Sequence, residues 1–241
     1  MGIYLLKVFT KSDIIHHFDT DKQYDNWIFN KVKSGTIKKV KSGLYVLLNR
    51  NGFCEANKFE IGSKVTTDSY ISYHSALEYY GVSNQVFNTV TICSNIRFRN
   101  FEFDDVEFEY QKSPINYGIS KNSYSYIRVT ALERTIIDCI NKIDLAGGIE
   151  EIINAFELIN KVDETELLKV LSMYDSVFLY QKAGYILEHF QETMGLSEGF
   201  FETCQKHLTN QIKYFLNEQG REVKYNPKWR LMAPKNVKLY F

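Results

Sequence analysis

The sequence has 241 residues, of which 44% are hydrophobic and 15% aromatic, ample for packed cores and for two or three small domains. Its 29 basic and 29 acidic side chains give a formal net charge of zero, so the chain as a whole is not a polycation. No apolar run approaches the roughly 18 residues of a membrane-spanning helix, and the N-terminus lacks a signal-peptide core. We therefore expect a cytoplasmic protein without a membrane segment.

The charge is unevenly distributed along the chain. Residues 1–66 carry 11 Lys and Arg against 6 Asp and Glu, whereas residues 67–241 carry 18 against 23. A neutral protein with a basic head and an acidic body can hold a polyanion at one end only. The four cysteines are far apart and form no CxxC pair, and three of them lie in apolar patterns, which predicts reduced and mostly buried thiols.

Near the N-terminus, Ser12-Asp13 offers a cap for a short helix that carries Ile14, Ile15 and Phe18. The stretch from Tyr24 to Asn49 then predicts a second helix followed by a compact hairpin. Its parts follow in order: apolar Trp27, Ile28 and Val32 about one turn apart, a helix stop at Ser34-Gly35, and two strands, Thr36–Val40 and Leu44–Leu48, around Lys41-Ser42-Gly43.

A helix, a tight stop and a basic hairpin form the second half of a winged helix-turn-helix, which we assign to residues 1–66. In that fold the helix enters the DNA major groove and the hairpin lies along the phosphate backbone. The predicted DNA-binding residues are Tyr24, Asn26 and Asn30 for the bases and Lys31, Lys33, Lys38, Lys39 and Lys41 for the phosphates. An ordinary solvated helix and hairpin would show the same local pattern.

The remaining residues, 67–241, are predicted to form an α+β body. Residues 84–129 alternate apolar and polar side chains, which indicates short antiparallel strands with one wet face, including one at Tyr124–Tyr126. Residues 130–217 are helical in pattern, beginning with a capping box of Thr130 and Glu133 and ending with a long helix over Phe200–Leu216. Residues 218–241 form a tail of extended type.

Three segments of the chain, in this order, resemble the AbiEi-type antitoxins of bacterial type IV toxin–antitoxin systems. They are Gly43-Leu44-Tyr45 after a basic run, Tyr70-Ile71-Ser72 with Ser75-Ala76-Leu77 and Gly81, and Glu133-Arg134-Thr135 with Asp138. The resemblance covers residues 10 to 140. It implies a winged-helix head that represses its own promoter, and a body that counteracts a nucleotidyltransferase-like toxin in abortive infection and phage defence.

Two other functions are compatible with the same sequence. A ligand-responsive winged-helix transcription regulator would have an identical head and a small-molecule pocket in place of a toxin surface. A metal-dependent nuclease would use the acids Asp104, Asp105, Glu107 and Glu109 with Lys112. The three-residue spacing of Glu109 and Lys112 places them on opposite faces of a strand, which disfavours the nuclease. We therefore expect no catalytic residues, no metal site and no cofactor.

Overall fold

The computed structural model describes residues 6–122, 125–216 and 223–234, and it confirms a mixed α+β protein with several sheets. Its contacts divide the chain into two units. Unit 1 contains the described residues of 1–71, 88–112 and 121–129, and unit 2 contains those of 72–87, 113–120 and 130–241. The predicted boundary at residue 66 lies inside unit 1, which is discontinuous because strands from 88–129 pair in one sheet with Tyr70 and Ile71.

Unit 1 begins with a small sheet and two helices. The elements are β1 (Val8–Thr10), α1 (Lys11–Ile14), α2 (Asp21–Lys33), β2 (Ile37–Lys41) and β3 (Leu44–Leu47), with a 3₁₀ turn over Ile15–His17. The strands form an antiparallel sheet of order β1-β3-β2. Gly35, with φ of 68°, follows the end of α2, so the predicted helix stop and hairpin are confirmed.

The cap of the first helix differs from the prediction at Ser12. The N-cap is Thr10, whose backbone N–H and hydroxyl donate to the Asp13 carboxylate at 2.8 and 2.9 Å. The helix consequently starts one residue before Ser12 and lasts a single turn. Because β1 runs directly into α1, Ser12 lies inside the helix and cannot be its N-cap.

Most of the rest of unit 1 belongs to a six-stranded sheet, which follows α3 (Lys58–Gly62) in the chain. Its strands are β4 (Tyr70–Ile71), β5 (Thr89–Ser94), β6 (Phe101–Phe103), β7 (Val106–Lys112), β8 (Ile119–Lys121) and β9 (Arg128–Thr130), in the order β6-β7-β5-β4-β9-β8. The predicted antiparallel pairing is found between β6 and β7 and between β4 and β5, but β5 pairs parallel with β7 and β4 pairs parallel with β9. Tyr126 has a φ of 58° before β9, outside any strand, and Tyr124 lies outside the described residues.

Strand β5 is the centre of this sheet and has no wet face. From Val90 to Ser94 every residue is buried, polar Thr91 and Ser94 included. Antiparallel pairing with β4 on one edge and parallel pairing with β7 on the other make β5 an interior strand, and its side chains are buried on both faces of the sheet. Asp104 and Asp105, with φ of 50° and 60°, make the two-residue turn between β6 and β7, a conformation common in tight hairpins.

Unit 2 is mainly helical. Its helices are α4 (His74–Tyr79), α5 (Leu132–Asn141), α6 (Ile149–Glu157), α7 (Glu164–Tyr174), α8 (Val177–Leu187), α9 (Gln191–Met194) and α10 (Glu198–Lys206), with 3₁₀ turns over Ile143–Ala146 and Glu188–Phe190. Asp163 caps α7 by accepting from the N–H groups of Thr165 and Glu166. Buried apolar side chains from all these helices form one continuous core.

Two predictions for unit 2 are wrong. The N-cap of α5 is Ala131 in place of Thr130, whose hydroxyl is hydrogen-bonded to that of Thr135, and the Glu133 carboxylate accepts from the Asp163 N–H. The predicted helix over Phe200–Leu216 ends at Lys206. The apolar residues beyond Lys206 lie outside the helix. Phe215, for example, is buried because it packs into the core of unit 2, and a helical spacing of apolar residues does not show this.

Arg134 and Asp138, one turn apart on α5, form a fully buried ion pair at 3.2 Å. Arg134 also donates to the Tyr117 carbonyl, and the Tyr174 hydroxyl donates to Asp138. Burial raises the pKa of Asp138 to about 6, although Arg134 and the Tyr174 hydrogen bond act in the opposite direction. Arg134 therefore has a structural role, as the cation of a buried ion pair inside unit 2. Removing one partner of such a buried pair typically costs about 3–5 kcal/mol of stability.

The C-terminal segment forms a three-stranded sheet from β10 (Lys213–Tyr214), β11 (Lys224–Asn226) and β12 (Leu231–Ala233), in the order β10-β12-β11. The described part of the predicted tail is extended in β11 and β12, with a turn over 227–230 between them. Between β11 and β12, Trp229 is completely buried and donates its indole N–H to Glu188 at 2.8 Å. Its ring lies against Gly184 of α8, where an added Cβ would come within 2.1–2.4 Å of three ring atoms.

We expect Gly184→Ala to destabilise the protein by about 1–3 kcal/mol or more, because the new methyl overlaps the Trp229 ring. Gly199→Ala is the matched control, since its added Cβ has Ser197 Oγ as its nearest neighbour at 3.4 Å. The control should be neutral or stabilising by up to about 1 kcal/mol. Urea unfolding of both variants tests the packing, and a Gly184→Ala protein as stable as the control would contradict it.

Candidate nucleic-acid interface

One face of α2 lies on the aromatic core of the N-terminal segment. Trp27 is 6.3 Å from Phe9 and 5.6 Å from Phe18 between ring centroids, and Tyr24 is 5.7 Å from Phe18. Phe9 in turn stacks on Tyr45 of β3 at 5.8 Å. These contacts fix the rotation of the helix about its axis, because aromatic pairs are large and have preferred geometries.

Tyr24 belongs to this core and not to a DNA-contacting surface. Its side chain is 5% exposed, and burial raises the pKa of its hydroxyl to about 12. The ammonium of Lys11, which is also paired with Asp21 at 2.9 Å, lies 5.1 Å from the ring centroid. The prediction of Tyr24 as a base-contacting residue is therefore wrong, because the inward stripe of α2 starts at this position.

The opposite face of α2 is exposed and contains most of the other DNA-binding residues predicted on this helix. Asn26, Asn30 and Lys33 point outward, at spacings of three and four residues. The prediction missed two further members of this face, Lys22 and Phe29, and Phe29 is 65% exposed despite its apolar ring. We call these five residues the outward face of α2.

The apolar pattern of the sequence did not predict the first turn of α2, because the helix starts at Asp21, before the first apolar residue of that pattern. Thr20 is the N-cap, and its hydroxyl accepts from the Gln23 N–H at 3.3 Å. Gln23 reaches back to accept from the Asp19 N–H at 2.9 Å. A threonine followed three residues later by glutamine is a recognisable helix-start signal, and it would have placed Lys22 on the helix.

Two of the predicted hairpin lysines contact neighbouring parts of unit 1. The Lys38 ammonium is 2.5 Å from the Asp104 carboxylate and 4.8 Å from the Phe103 ring centroid. The Lys41 ammonium lies 4.8 Å from the centroid of Phe98 and 4.9 Å from that of Phe101. Burial lowers the pKa of Lys41. Both cations are therefore engaged within the protein at the positions where phosphate contacts were predicted.

The remaining predicted lysines differ in their exposure. Lys39 on β2 and Lys33 at the end of α2 are exposed, whereas Lys31 is only partly so. A register shift between Lys39 and Lys41 interrupts the strand's alternation, so that Lys38 and Lys41 both contact the β6 region while Lys39 is exposed. Of the hairpin lysines, Lys39 is thus the best placed to meet a phosphate.

The acids considered for a nuclease are arranged differently from a metal site. Asp104 is paired with Lys38, and Glu107 lies directly across the β6–β7 hairpin from Glu102. Within residues 6–122, 125–216 and 223–234, no group of three or more His, Cys, Asp or Glu side chains is arranged to hold a metal ion. In the same ranges, no helix has the length and hydrophobicity needed to cross a membrane.

Comparisons with known proteins identify a similar fold. A scan against protein-family models finds no match, and a search of curated proteins finds none either. Among solved structures, the crystal structure of the RV2827C protein from Mycobacterium tuberculosis aligns with a TM-score of 0.63. The alignment covers 96% of this chain and 87% of that one at 12% sequence identity, so the likeness concerns the fold alone.

We expect Tyr24→Ala to lower the free energy of unfolding by about 3 kcal/mol, because it removes a buried aromatic ring from the core of unit 1. Asn26→Ala, two residues further on the exposed face of the same helix, should change it by no more than about 0.5 kcal/mol. Urea unfolding followed by circular dichroism measures both. Equal stability of the two variants would place Tyr24 outside the core.

Proposed function

We propose that the protein is a DNA-binding transcriptional regulator that reads duplex DNA with the outward face of α2. The observation that carries this proposal is that face itself. It presents two amides, Asn26 and Asn30, between two cations, Lys22 and Lys33, on a helix of 13 residues whose other side is anchored in the core. Asparagine can bond both acceptor and donor groups of adenine, and lysines at the flanks can meet phosphates.

The surrounding elements support a winged helix-turn-helix reading. Helices α1 and α2 precede a β-hairpin in a three-stranded sheet, which is the element order of that fold. In this proposal the hairpin contributes less charge to DNA than its sequence suggests, because Lys38 and Lys41 face β6 and its flanking residues. Lys39 supplies the backbone contact from the hairpin.

We further propose that the regulator is an antitoxin of the AbiEi type. This step rests on the resemblance of the segments around Gly43-Leu44-Tyr45, Tyr70-Ile71-Ser72 and Glu133-Arg134-Thr135 to that family. In unit 2, Arg134 and Thr135 of the last segment are buried and hydrogen-bonded, which supports a structural role for that motif in place of a catalytic one. The partners would be the protein's own promoter and a nucleotidyltransferase-like toxin.

We expect Lys33→Ala and Lys39→Ala each to weaken binding to duplex DNA of any sequence. Each lost phosphate contact should reduce the slope of log affinity against log salt by about 0.9. Lys38→Ala is the matched control from the same strand as Lys39, and it should leave the slope unchanged because its ammonium is held at Asp104. Fluorescence anisotropy with the duplex upstream of the gene, over a series of salt concentrations, measures the three slopes.

Asn26→Ala and Asn30→Ala should alter sequence preference and leave the salt slope unchanged. Losing a good amide–adenine pair costs about 1–3 kcal/mol of discrimination. Selection of preferred duplexes from a random pool would measure this. Absence of any DNA binding by the full chain would overturn the proposed function. If Lys38→Ala reduced the salt slope, Lys38 would contact a phosphate despite its ion pair with Asp104.

The antitoxin step has its own test. If a neighbouring reading frame encodes a nucleotidyltransferase-like protein, co-expression of the full chain should restore growth that this protein inhibits. Asn26→Ala/Asn30→Ala should lose promoter repression and keep the rescue, since the toxin function is proposed for other surfaces. A chain that represses the promoter yet gives no rescue would favour the alternative, a ligand-responsive regulator. That alternative has one structural observation in its favour, a cavity in unit 1 whose lining residues are mainly polar or charged.

A further inference from the structure

A cavity of about 740 Å³ lies within unit 1, next to the start of α1. It is lined by residues at the start of α1, by the consecutive residues 63–67 after α3, and by Lys121, Tyr126 and Arg128 around β8 and β9. Its volume is in the range of pockets that hold small molecules, about 300–1,000 Å³. None of its lining residues belongs to the outward face of α2.

The charges that line this cavity are mainly positive. Lys64, Lys121 and Arg128 contribute three cations against one carboxylate, Asp13. Lys64 is paired with Asp13 at 2.9 Å, and Arg128 donates to the Thr67 carbonyl at 2.8 Å. The lining therefore has an excess of two positive charges, and both Lys64 and Arg128 are already oriented by neighbours. An anionic ligand group would neutralise this excess positive charge.

Polar donors surround these cations. Hydroxyl groups of Thr10, Ser12, Ser63, Thr66 and Thr67 also line the cavity. Phosphate oxygens accept hydrogen bonds from hydroxyls and ammonium groups alike, and several small donors around a few cations suit a compact multivalent anion. The chemistry of the lining therefore favours a phosphate over an apolar ligand.

An aromatic side chain forms one wall. Tyr126 is 47% exposed and has a left-handed φ of 58°, an unusual backbone conformation for a large residue. The Lys121 ammonium lies 5.6 Å from the centroid of its ring. A second cavity of about 250 Å³ shares Tyr126 and Lys64 with the first. The Lys121 ammonium and the Tyr126 ring thus lie together at the same opening, where a phosphate and a planar group can be bound together.

We propose that this cavity binds a small phosphorylated molecule that carries a planar ring, in the size class of a nucleoside monophosphate. The phosphate lies among Lys64, Lys121 and Arg128, and the ring packs against Tyr126. The site is separate from the proposed DNA-binding face, and its occupancy does not depend on whether the chain binds DNA.

Calorimetry on the full chain without DNA tests the proposal, with AMP, GMP, pyrophosphate and adenosine as probes. AMP or GMP should bind at millimolar concentration or below. Lys121→Ala should weaken this binding about tenfold, the equivalent of one lost charge-assisted contact. Tyr126→Ala should weaken the binding of AMP and GMP and leave the binding of pyrophosphate unchanged. Lys112→Ala, an exposed lysine on β7 outside the cavity, removes the same charge and should have no effect.

Three results would overturn the proposal: no binding of any phosphorylated probe, equal weakening by Lys112→Ala and Lys121→Ala, or adenosine binding as tightly as AMP. Lys64→Ala is a further variant, although its loss frees Asp13 at the start of α1 and can disturb the fold. The side chains of Lys121 and Tyr126 are exposed, so those two variants decide the question once circular dichroism shows that they are folded. Because no DNA is present, failure here is independent of failure of the proposed function.

Discussion

The packing of Trp27 and Tyr24 against Phe9 and Phe18 determines what the N-terminal part of this protein can do. A helix of 13 residues presents different side chains depending on its rotation about its own axis, and these aromatic contacts allow one rotation only. With the aromatic stripe inside, the amides and flanking lysines lie outside. The proposed reading of DNA therefore depends on an apolar core that never touches the nucleic acid. The core acts by orienting the helix, in the way that a scaffold orients a binding site.

The lysines of the hairpin show why charge in a sequence does not identify its partner. Five lysines between residues 31 and 41 look equivalent as a basic run. In the fold, two of them meet an aspartate and three phenylalanines that lie about sixty residues further along the chain. Those contacts are weak one by one, at about 0–1 kcal/mol for a partly exposed pair. They nevertheless set the direction of Lys38 and Lys41, and only the tertiary structure contains that information.

Local signals predicted the fold well where the cause was local. Gly35 ends α2 and Asp163 caps α7, because backbone geometry and capping hydrogen bonds act over three or four residues. Predictions failed where partners come from far away in the chain. Strand β5 alternates in sequence yet is buried on both faces, because elements from elsewhere in the chain pack on the sheet; Gly62 of α3, for example, lies against the side chains of Val90 and Ile92. Within the candidate site, the exposure of Asn26 and Asn30 follows from the helical period of α2, whereas the burial of Tyr24 depends on packing between separate elements.

The burial of Trp229 has a practical consequence for measuring this protein. The chain contains two tryptophans, Trp27 in unit 1 and Trp229 in unit 2. Trp27 is partly exposed among aromatic rings, and Trp229 is fully buried with its indole N–H bonded to a carboxylate. Intrinsic fluorescence therefore contains one natural reporter for each unit, in distinct surroundings. With excitation selective for tryptophan over the 17 tyrosines, replacing either tryptophan by phenylalanine would leave one indole whose emission follows the melting of its unit without any added dye.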